Sequence, residues 1–372
     1  MKILHIIPDL GKGGAERLAT DIVRELKRRK DVIPALILLA DDIQYNIDDL
    51  KDITHVIPSS VKLSILGRNE YHIENIQKFI DEFQPDVIHS HLFIADLVSR
   101  SLDYKKAKWF SHCHWNTVEL TRPAGLPLSK KAIIDRFVYN YIFRKYMKCD
   151  NHFIAISPNA YDFYVKNLPE LKQNIHYVPN AVNTAAFKTG RATTDISGQQ
   201  IQLISVGSLL ERKNQKFQID IAQVLKERGV NFHLNIYGKG VMHDALAQKI
   251  SDLDLGDHVT LRGVKENIQD SLAESQIFLH TAIYEPFGLV IVEAMASGLP
   301  VVALDGGGNR ELITSGDNGF LISEPDVHVF ADKIQEACRP DIYPRLSKGA
   351  VNTSSQYDIV PYVTKLLDLY SQ

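Results

Sequence analysis

Cysteine is scarce in this chain: only Cys113, Cys149 and Cys338 occur among 372 residues. Odd in number and widely spaced, they supply neither a disulfide framework nor a C-x-x-C metal pair. Long apolar runs are missing as well. The opening MKILHIIPDL is too short for a signal peptide, and no later stretch approaches the ~20 apolar residues of a membrane helix, which points to a cytoplasmic chain. Excess charge is also absent. A net charge of -3, with 23% charged and 45% hydrophobic residues, excludes the basic footprint of a nucleic-acid binder and the polarity of a disordered protein. No G-x-S-x-G elbow or Walker loop occurs, and the first turn, GKGGAE at Gly11 to Glu16, does not spell G-x-G-x-x-G. Hydrolase, ATPase and dehydrogenase readings lose ground accordingly.

What is present is an alternation of short apolar runs with longer amphipathic ones, the pattern of a parallel sheet wrapped by helices. The length exceeds what one hydrophobic core supports, so two domains of roughly 180 residues are expected. The first has strands at Lys2 to Ile7, Ile33 to Leu39, Asp86 to His91, Lys108 to Cys113 and His152 to Ile156. A helix from Ala15 to Lys30 follows the glycine turn, with Leu18, Ile22, Val23 and Leu26 on one face. In the second, strands recur at Gln202 to Val206, Asn231 to Tyr237, Val259 to Arg262, Ile277 to His280 and Pro300 to Leu304. The polar stretch Thr189 to Gln200 reads as the boundary region. The domains are expected over 1–183 and 184–358, followed by a C-terminal helix, 359–372. Its spacing does not choose a partner; the N-terminal domain is the candidate.

The stretch EPFGLVIVE, Glu285 to Glu293, carries the most chemistry. Glu-Pro suits a helix start, Gly288 lets backbone amides approach a bound group, and free amides there favour anions. Glu293 lies in an otherwise apolar run and needs a partner, which a sugar hydroxyl or a structural cation would supply. Upstream, Arg212 and Lys213 follow the second domain's first strand, where two cations suit a diphosphate or simply a solvated turn. Tyr237 to Gly240, Arg262 to Lys265 and Asp305 to Glu311 put further glycines and charges at strand exits on one rim, where open parallel sheets bind ligands. In the first domain HSH (His89 to His91) and HCH (His112 to His114) end two strands. A metal site is one reading, opposed by the lack of an accompanying carboxylate and by the interleaved Ser and Cys. The other is a single histidine serving as hydrogen-bond donor to a substrate while the rest satisfy buried backbone.

These motifs together resemble the retaining glycosyltransferases of family four. The resemblance covers nearly the whole chain through DVIHSHLF (Asp86 to Phe93), IAISPNA (Ile154 to Ala160), VPNAVN (Val178 to Asn183), the Arg-Lys turn and EPFGLVIVEAMASGLPVVA. It implies an α/β GT-B architecture: two Rossmann-like, doubly wound parallel-sheet domains facing across a cleft, the first binding the acceptor and the second a nucleotide-diphosphate sugar. Glu293 would accept from the ribose hydroxyls and Glu285 would face the donor sugar. Amides of Phe287 and Gly288 would hold sugar hydroxyls, those of Leu289 and Val290 the phosphates. Lys213 matches the phosphate-binding lysine, Val264 the main chain that meets the base, and Gly14 the glycine against the diphosphate. His114 matches the histidine near the sugar, with His112 competing because the HCH register is ambiguous.

Three positions depart from the pattern. Ser208 stands where the family often has Arg, which leaves Arg212 to supply the charge, and Ala181 and Asn183 replace the glycine and the aspartate of Asn-Gly-Val-Asp. No cofactor or metal is implied, and no Asp-x-Asp pair ends a strand. The acceptor would be a saccharide or a lipid-linked one in cell-surface polysaccharide or glycolipid synthesis. Residues 130–148, KKAIIDRFVYNYIFRKYMK, read either as a helix lying on an anionic membrane or as an ordinary amphipathic helix with a basic edge. A hydrolysing nucleotide-sugar epimerase, a sugar phosphorylase and a non-catalytic sugar-nucleotide sensor are the competing functions.

Overall fold

The computed structural model describes residues 1–125, 129–188 and 200–372. Apart from Gln200, the boundary stretch Thr189 to Gln200 lies outside the described residues. Contacts divide the chain into two units, Met1–Asn180 with Ile359–Gln372, and Ala181–Asp358.

The first unit contains strands β1 (Lys2–Ile7), β2 (Ile33–Leu38), β3 (Thr54–Val56), β4 (Ser60–Lys62), β5 (Glu70–His72), β6 (Val87–His91), β7 (Lys108–Cys113), β8 (Asn151–Ala155) and β9 (Ile175–Tyr177). Its helices are α1 (Gly14–Lys27), α2 (Glu74–Phe83), α3 (Leu92–Ser99), α4 (Lys130–Tyr146) and α5 (Pro158–Asn167). β4 and β5 pair as an antiparallel hairpin; the others form a parallel sheet ordered β3-β2-β1-β6-β7-β8-β9. β1 and β6 are buried along almost their whole length because helices cover both faces of a parallel sheet. α1 turns Leu18, Ile22, Val23 and Leu26 inward, as their spacing requires. The strand order reverses between β1 and β6, the place where such sheets hold ligands.

The second unit repeats the plan with β10 (Ile201–Val206), β11 (Phe232–Tyr237), β12 (Val259–Gly263), β13 (Ile277–His280), β14 (Val301–Leu304) and β15 (Gly319–Ile322). They are ordered β12-β11-β10-β13-β14-β15, all parallel, so order reverses between β10 and β13. The helices are α6 (Gln215–Glu227), α7 (His243–Asp252), α8 (Ile268–Glu274), α9 (Leu289–Ala296), α10 (Val327–Ala337) and α11 (Tyr343–Ser355). α9 is buried from Ile291 to Ala296. Each fully buried Ile, Val or Met there contributes about 1.5–3 kcal/mol, which fixes the helix start beneath the β13 loop.

The last helix, α12 (Ile359–Ser371), belongs to the first unit. It buries Ile359, Tyr362, Val363, Leu366 and Tyr370, a stripe at three- and four-residue spacing. Arg29 Nη2 donates to Val360 O and Thr364 Oγ1, both at 3.3 Å, and Lys365 Nζ donates to Tyr177 O at 3.4 Å.

Candidate active site

Parallel pairing of β10 with β13 brings the loops that leave their carboxyl ends together. Ile283 N donates to Arg212 O at 3.0 Å, and Thr281 Oγ1 donates to Lys213 O and Asn214 O at 3.3 and 3.0 Å. Asn214, in the left-handed region at φ 55°, turns the first loop into α6. Lys213 Nζ then stands 2.5 Å from Glu285 Oε2, with His280 Nε2 3.2 Å from the same oxygen. The two side chains of the ion pair are only 14% and 10% exposed, so solvent screens it weakly. Burial alone would raise the pKa of Glu285; the His280 imidazole and the Lys213 ammonium outweigh it and hold the carboxyl at about 2.

The turn Asp305 to Glu311 backs this loop. Glu285 N donates to Gly306 O at 2.9 Å and Gly308 N returns a bond to Glu285 O at 2.8 Å. Asn309 pins the turn by accepting from Gly306 N and donating to Leu304 O. A Cβ on Gly308 would lie 2.0 Å from Pro286 O, so only glycine permits this approach. Gly288, at φ 103°, opens α9, and among the described residues no side chain caps that helix. The amides of its first turn are thus placed for an anion. Phe287 packs edge-on against Tyr357, 5.6 Å between centroids.

Lys213, Glu285, Phe287, Gly288, Leu289 and Val290 therefore share one strand-end rim. Glu293 is buried on α9, Arg212 has an exposed side chain, and Val264 is exposed just beyond β12. His280 and Asn309 escaped the sequence reading. His280 was visible only as the polar residue closing an apolar strand, and Asn309 as one residue of a charged turn.

In the first unit Gly14 is exposed at the start of α1, and Tyr45 Oη donates to the adjoining Gly13 O at 2.8 Å. The expectation that spare histidines satisfy buried backbone is corrected. His89, His91, His112 and His114 bond one another instead, joined by His5 from β1. Alternation on adjacent parallel strands puts all of them on one face, where register pairs His5 with His89 and His91 with His112. His112 has both nitrogens engaged, Nδ1 with His89 Nε2 at 3.1 Å and Nε2 with Asn180 Oδ1 at 3.3 Å. His114 Nε2 meets His91 Nδ1 at 3.1 Å. Burial lowers the pKa of all five, His5 to about 3 and His112 to about 4, so the rings are neutral near pH ~7.

α4 packs inward through Tyr139, Ile142 and Tyr146, whose hydroxyl donates to Asp96 Oδ2 at 2.8 Å. Ile133, Ile134 and Met147 are exposed. A cavity of about 350 Å³ beside it is lined by Phe137, Asn140, Tyr141, Arg144, Lys145 and Lys148. Among the described residues no helix is long and apolar enough to cross a membrane.

Comparison with known proteins identifies the family and the fold. Residues 187–346 match the family described as glycosyl transferases group 1, and residues 12–186 match glycosyltransferase family 4. The chain belongs to these group 1 glycosyltransferases and has the GT-B fold. It is 25% identical to the UDP-Gal:alpha-D-GlcNAc-diphosphoundecaprenol alpha-1,3-galactosyltransferase of Escherichia coli, over 84% of this chain and 82% of that one. It is 27% identical to the N-acetylgalactosamine-N,N'-diacetylbacillosaminyl-diphospho-undecaprenol 4-alpha-N-acetylgalactosaminyltransferase of Campylobacter jejuni, over 86% of each. Among solved structures, Anabaena Alr3699/HepE in complex with UDP and glucose superposes with a TM-score of 0.77 at 21% identity, covering all of both chains.

Proposed function

We propose that this glycosyltransferase moves a sugar from a nucleotide-diphosphate sugar to an acceptor hydroxyl with retention at the anomeric carbon and without a metal. The observation that carries the reading is the Lys213–Glu285 pair at the strand-order reversal of the second sheet, directly before the uncapped start of α9. In this reading Lys213 exchanges its bond to Glu285 for the donor diphosphate and stabilises the charge that develops on it as the glycosidic bond breaks. Arg212 adds a second positive charge from the same loop. The amides of Leu289 and Val290 receive the phosphates, those of Phe287 and Gly288 the sugar hydroxyls, Glu293 the ribose, and the main chain at Val264 the base. Gly14 borders the diphosphate.

Glu285, whose carboxyl His280 and Lys213 hold well below its ordinary value before the donor binds, serves as a hydrogen-bond acceptor for the sugar and as a negative charge near the anomeric centre. His114 donates a hydrogen bond to a substrate oxygen. It is favoured over His112 because both nitrogens of His112 are already engaged. The relatives named for diphosphoundecaprenol-linked acceptors support a lipid-linked saccharide as acceptor, with α4 resting on the cytoplasmic leaflet.

A thermal-shift panel of nucleotide sugars, followed by turnover of the binder, tests this. One nucleotide sugar should stabilise the protein, by about 2.7 kcal/mol at a concentration 100 times its dissociation constant, and nucleoside diphosphate should be released only with acceptor. Release of nucleotide with an altered free sugar would make the protein an epimerase; binding without turnover on any acceptor would make it a sensor.

A further inference from the structure

Five histidines stack beneath the carboxyl ends of β1, β6 and β7. His5 and His89 lie 4.8 Å apart between centroids, His89 and His91 4.7 Å, His91 and His112 5.0 Å, and His112 and His114 4.3 Å. Their nitrogens form two rows. In one, Tyr370 Oη meets His89 Nδ1, His89 Nε2 meets His112 Nδ1, and His112 Nε2 meets Asn180 Oδ1. In the other, His5 Nδ1 meets His91 Nε2 at 2.9 Å, and His91 Nδ1 meets His114 Nε2 at 3.1 Å.

A neutral imidazole donates through one nitrogen and accepts through the other, so each bond in a row dictates the next. The first row is set from one end: Asn180 Oδ1 accepts from His112 Nε2, which makes His89 and His112 Nε2–H tautomers and leaves the Tyr370 hydroxyl to donate to His89 Nδ1. The second row has two possible directions. His5 Nε2 is buried and makes no hydrogen bond among the described residues. If the row ran from His114 toward His5, that atom would carry a buried, unpaired N–H. If it runs from His5 toward His114, the atom is a bare lone pair, the more tolerated of the two.

We infer that His5 and His91 are positioning residues that lock His114 as the Nδ1–H tautomer, so that His114 offers a hydrogen-bond donor to a sugar or phosphate oxygen. The donor role rests on the placement of His114 proposed above; the tautomer does not. His5 and His91 are 0% exposed and His114 8%, so His114 is the member of the row nearest the surface. The same nitrogens lie within 4.8 Å of one another in two sets of three, His5-His89-His91 and His91-His112-His114, close enough to suggest a metal. Contacts of 2.9 and 3.1 Å are shorter than the ~3.3 Å edge of a tetrahedral site with ~2.0 Å zinc–nitrogen bonds. Nitrogens that face one another at such distances share a hydrogen.

Imidazole ¹⁵N spectra of histidine-labelled protein test this, with His114 assigned by its loss in His114→Gln. The expected result is an Nδ1–H signature for His114 that disappears in His5→Leu and His91→Leu, with kcat down roughly tenfold, the KM for donor unchanged, and partial recovery in His91→Gln. Should either Leu variant fail to fold, the wild-type tautomer and His91→Gln carry the test. An Nε2–H signature in the wild type, or one zinc ion bound per chain when zinc alone is added, would overturn the inference. An Nδ1–H signature together with normal turnover by His114→Gln would instead sink the placement of His114 at the substrate and leave the row intact.

Discussion

Lys213 Nζ and Glu285 Oε2 stand 2.5 Å apart, each delivered by the loop that follows one of the two strands flanking the order reversal of the second sheet. The contact is a consequence of topology. Lys213 follows β10 and Glu285 follows β13, separated by 72 residues of sequence and joined by strand pairing. In water such a pair is worth little. Here both partners are nearly buried, and removing one leaves the other's charge uncompensated.

Lys213→Ala should therefore lower stability toward the low end of the ~3–5 kcal/mol typical of a broken buried pair, because His280 still faces Glu285. The double variant Lys213→Ala with Glu285→Gln should recover part of that loss, which denaturant unfolding of the three variants would measure. Strict additivity would show that the two groups do not interact. In turnover assays Glu285→Gln should cost on the order of 10²–10³ in kcat and trap no glycosyl-enzyme; a covalent adduct in mass spectrometry would contradict the proposed roles.

The pH dependence follows from the depressed carboxyl. The folded-state pKa of about 2 lies below the usual 4.5, so the stabilisation is present in full above pH 4.5 and is lost as pH falls toward 2. Its size is on the order of 3 kcal/mol. Unfolding of wild type and Glu285→Gln compared from about pH 7 down to about pH 3 should show a difference that narrows only below about pH 5. A gap that stays constant to the lowest pH would mean that ionisation of Glu285 contributes nothing.

Gly308 is a strict steric requirement behind the site. A Cβ there meets Pro286 O at 2.0 Å and Glu285 O at 2.6 Å, both backbone atoms. Gly308→Ala should cost about 1–3 kcal/mol through displaced backbone and lower activity by moving the Glu285 loop. Gly256→Ala, where nothing lies within 4 Å, is the control. Equal thermal midpoints for the two variants would remove the supporting role of the turn.

Much of this was legible in the residues, and the parts that were not share a cause. Runs such as Lys2–Ile7, Lys108–Cys113 and Ile277–His280 have bounds visible in the sequence because a central parallel strand, buried on both faces, reads as a short, mostly apolar run. β3 and β9 have three residues each, too few for a period. Glu285 and Lys213 each carried a signal from local chemistry. Their mutual contact did not, since it depends on which strands pair. His5 lay unremarked inside the apolar run KILHII and acquired a role only when register set it beside His89. A polar residue in a central strand is read as core until the sheet supplies its neighbours.

The exposed face of α4 separates the two readings of residues 130–148. Tyr139, Ile142 and Tyr146 satisfy the packing of an ordinary helix, yet Ile133, Ile134 and Met147 are exposed beside Lys131, Arg144 and Lys148. Apolar residues flanked by cations suit the surface of an anionic bilayer, where each Lys or Arg contributes about 1 kcal/mol. The protein should float with phosphatidylserine-rich vesicles at low ionic strength and be released at high salt, as the Debye length shrinks from ~30 Å at 0.01 M to ~3 Å at 1 M. Neutralising Lys131, Arg144 and Lys148 to Gln together should weaken binding roughly 100-fold, and Ile133→Ser with Ile134→Ser should weaken it without changing its salt dependence. Failure of the wild type to float at low salt would leave α4 as a packed helix with a solvated edge, and the lipid-linked acceptor would then have to be reached by another surface.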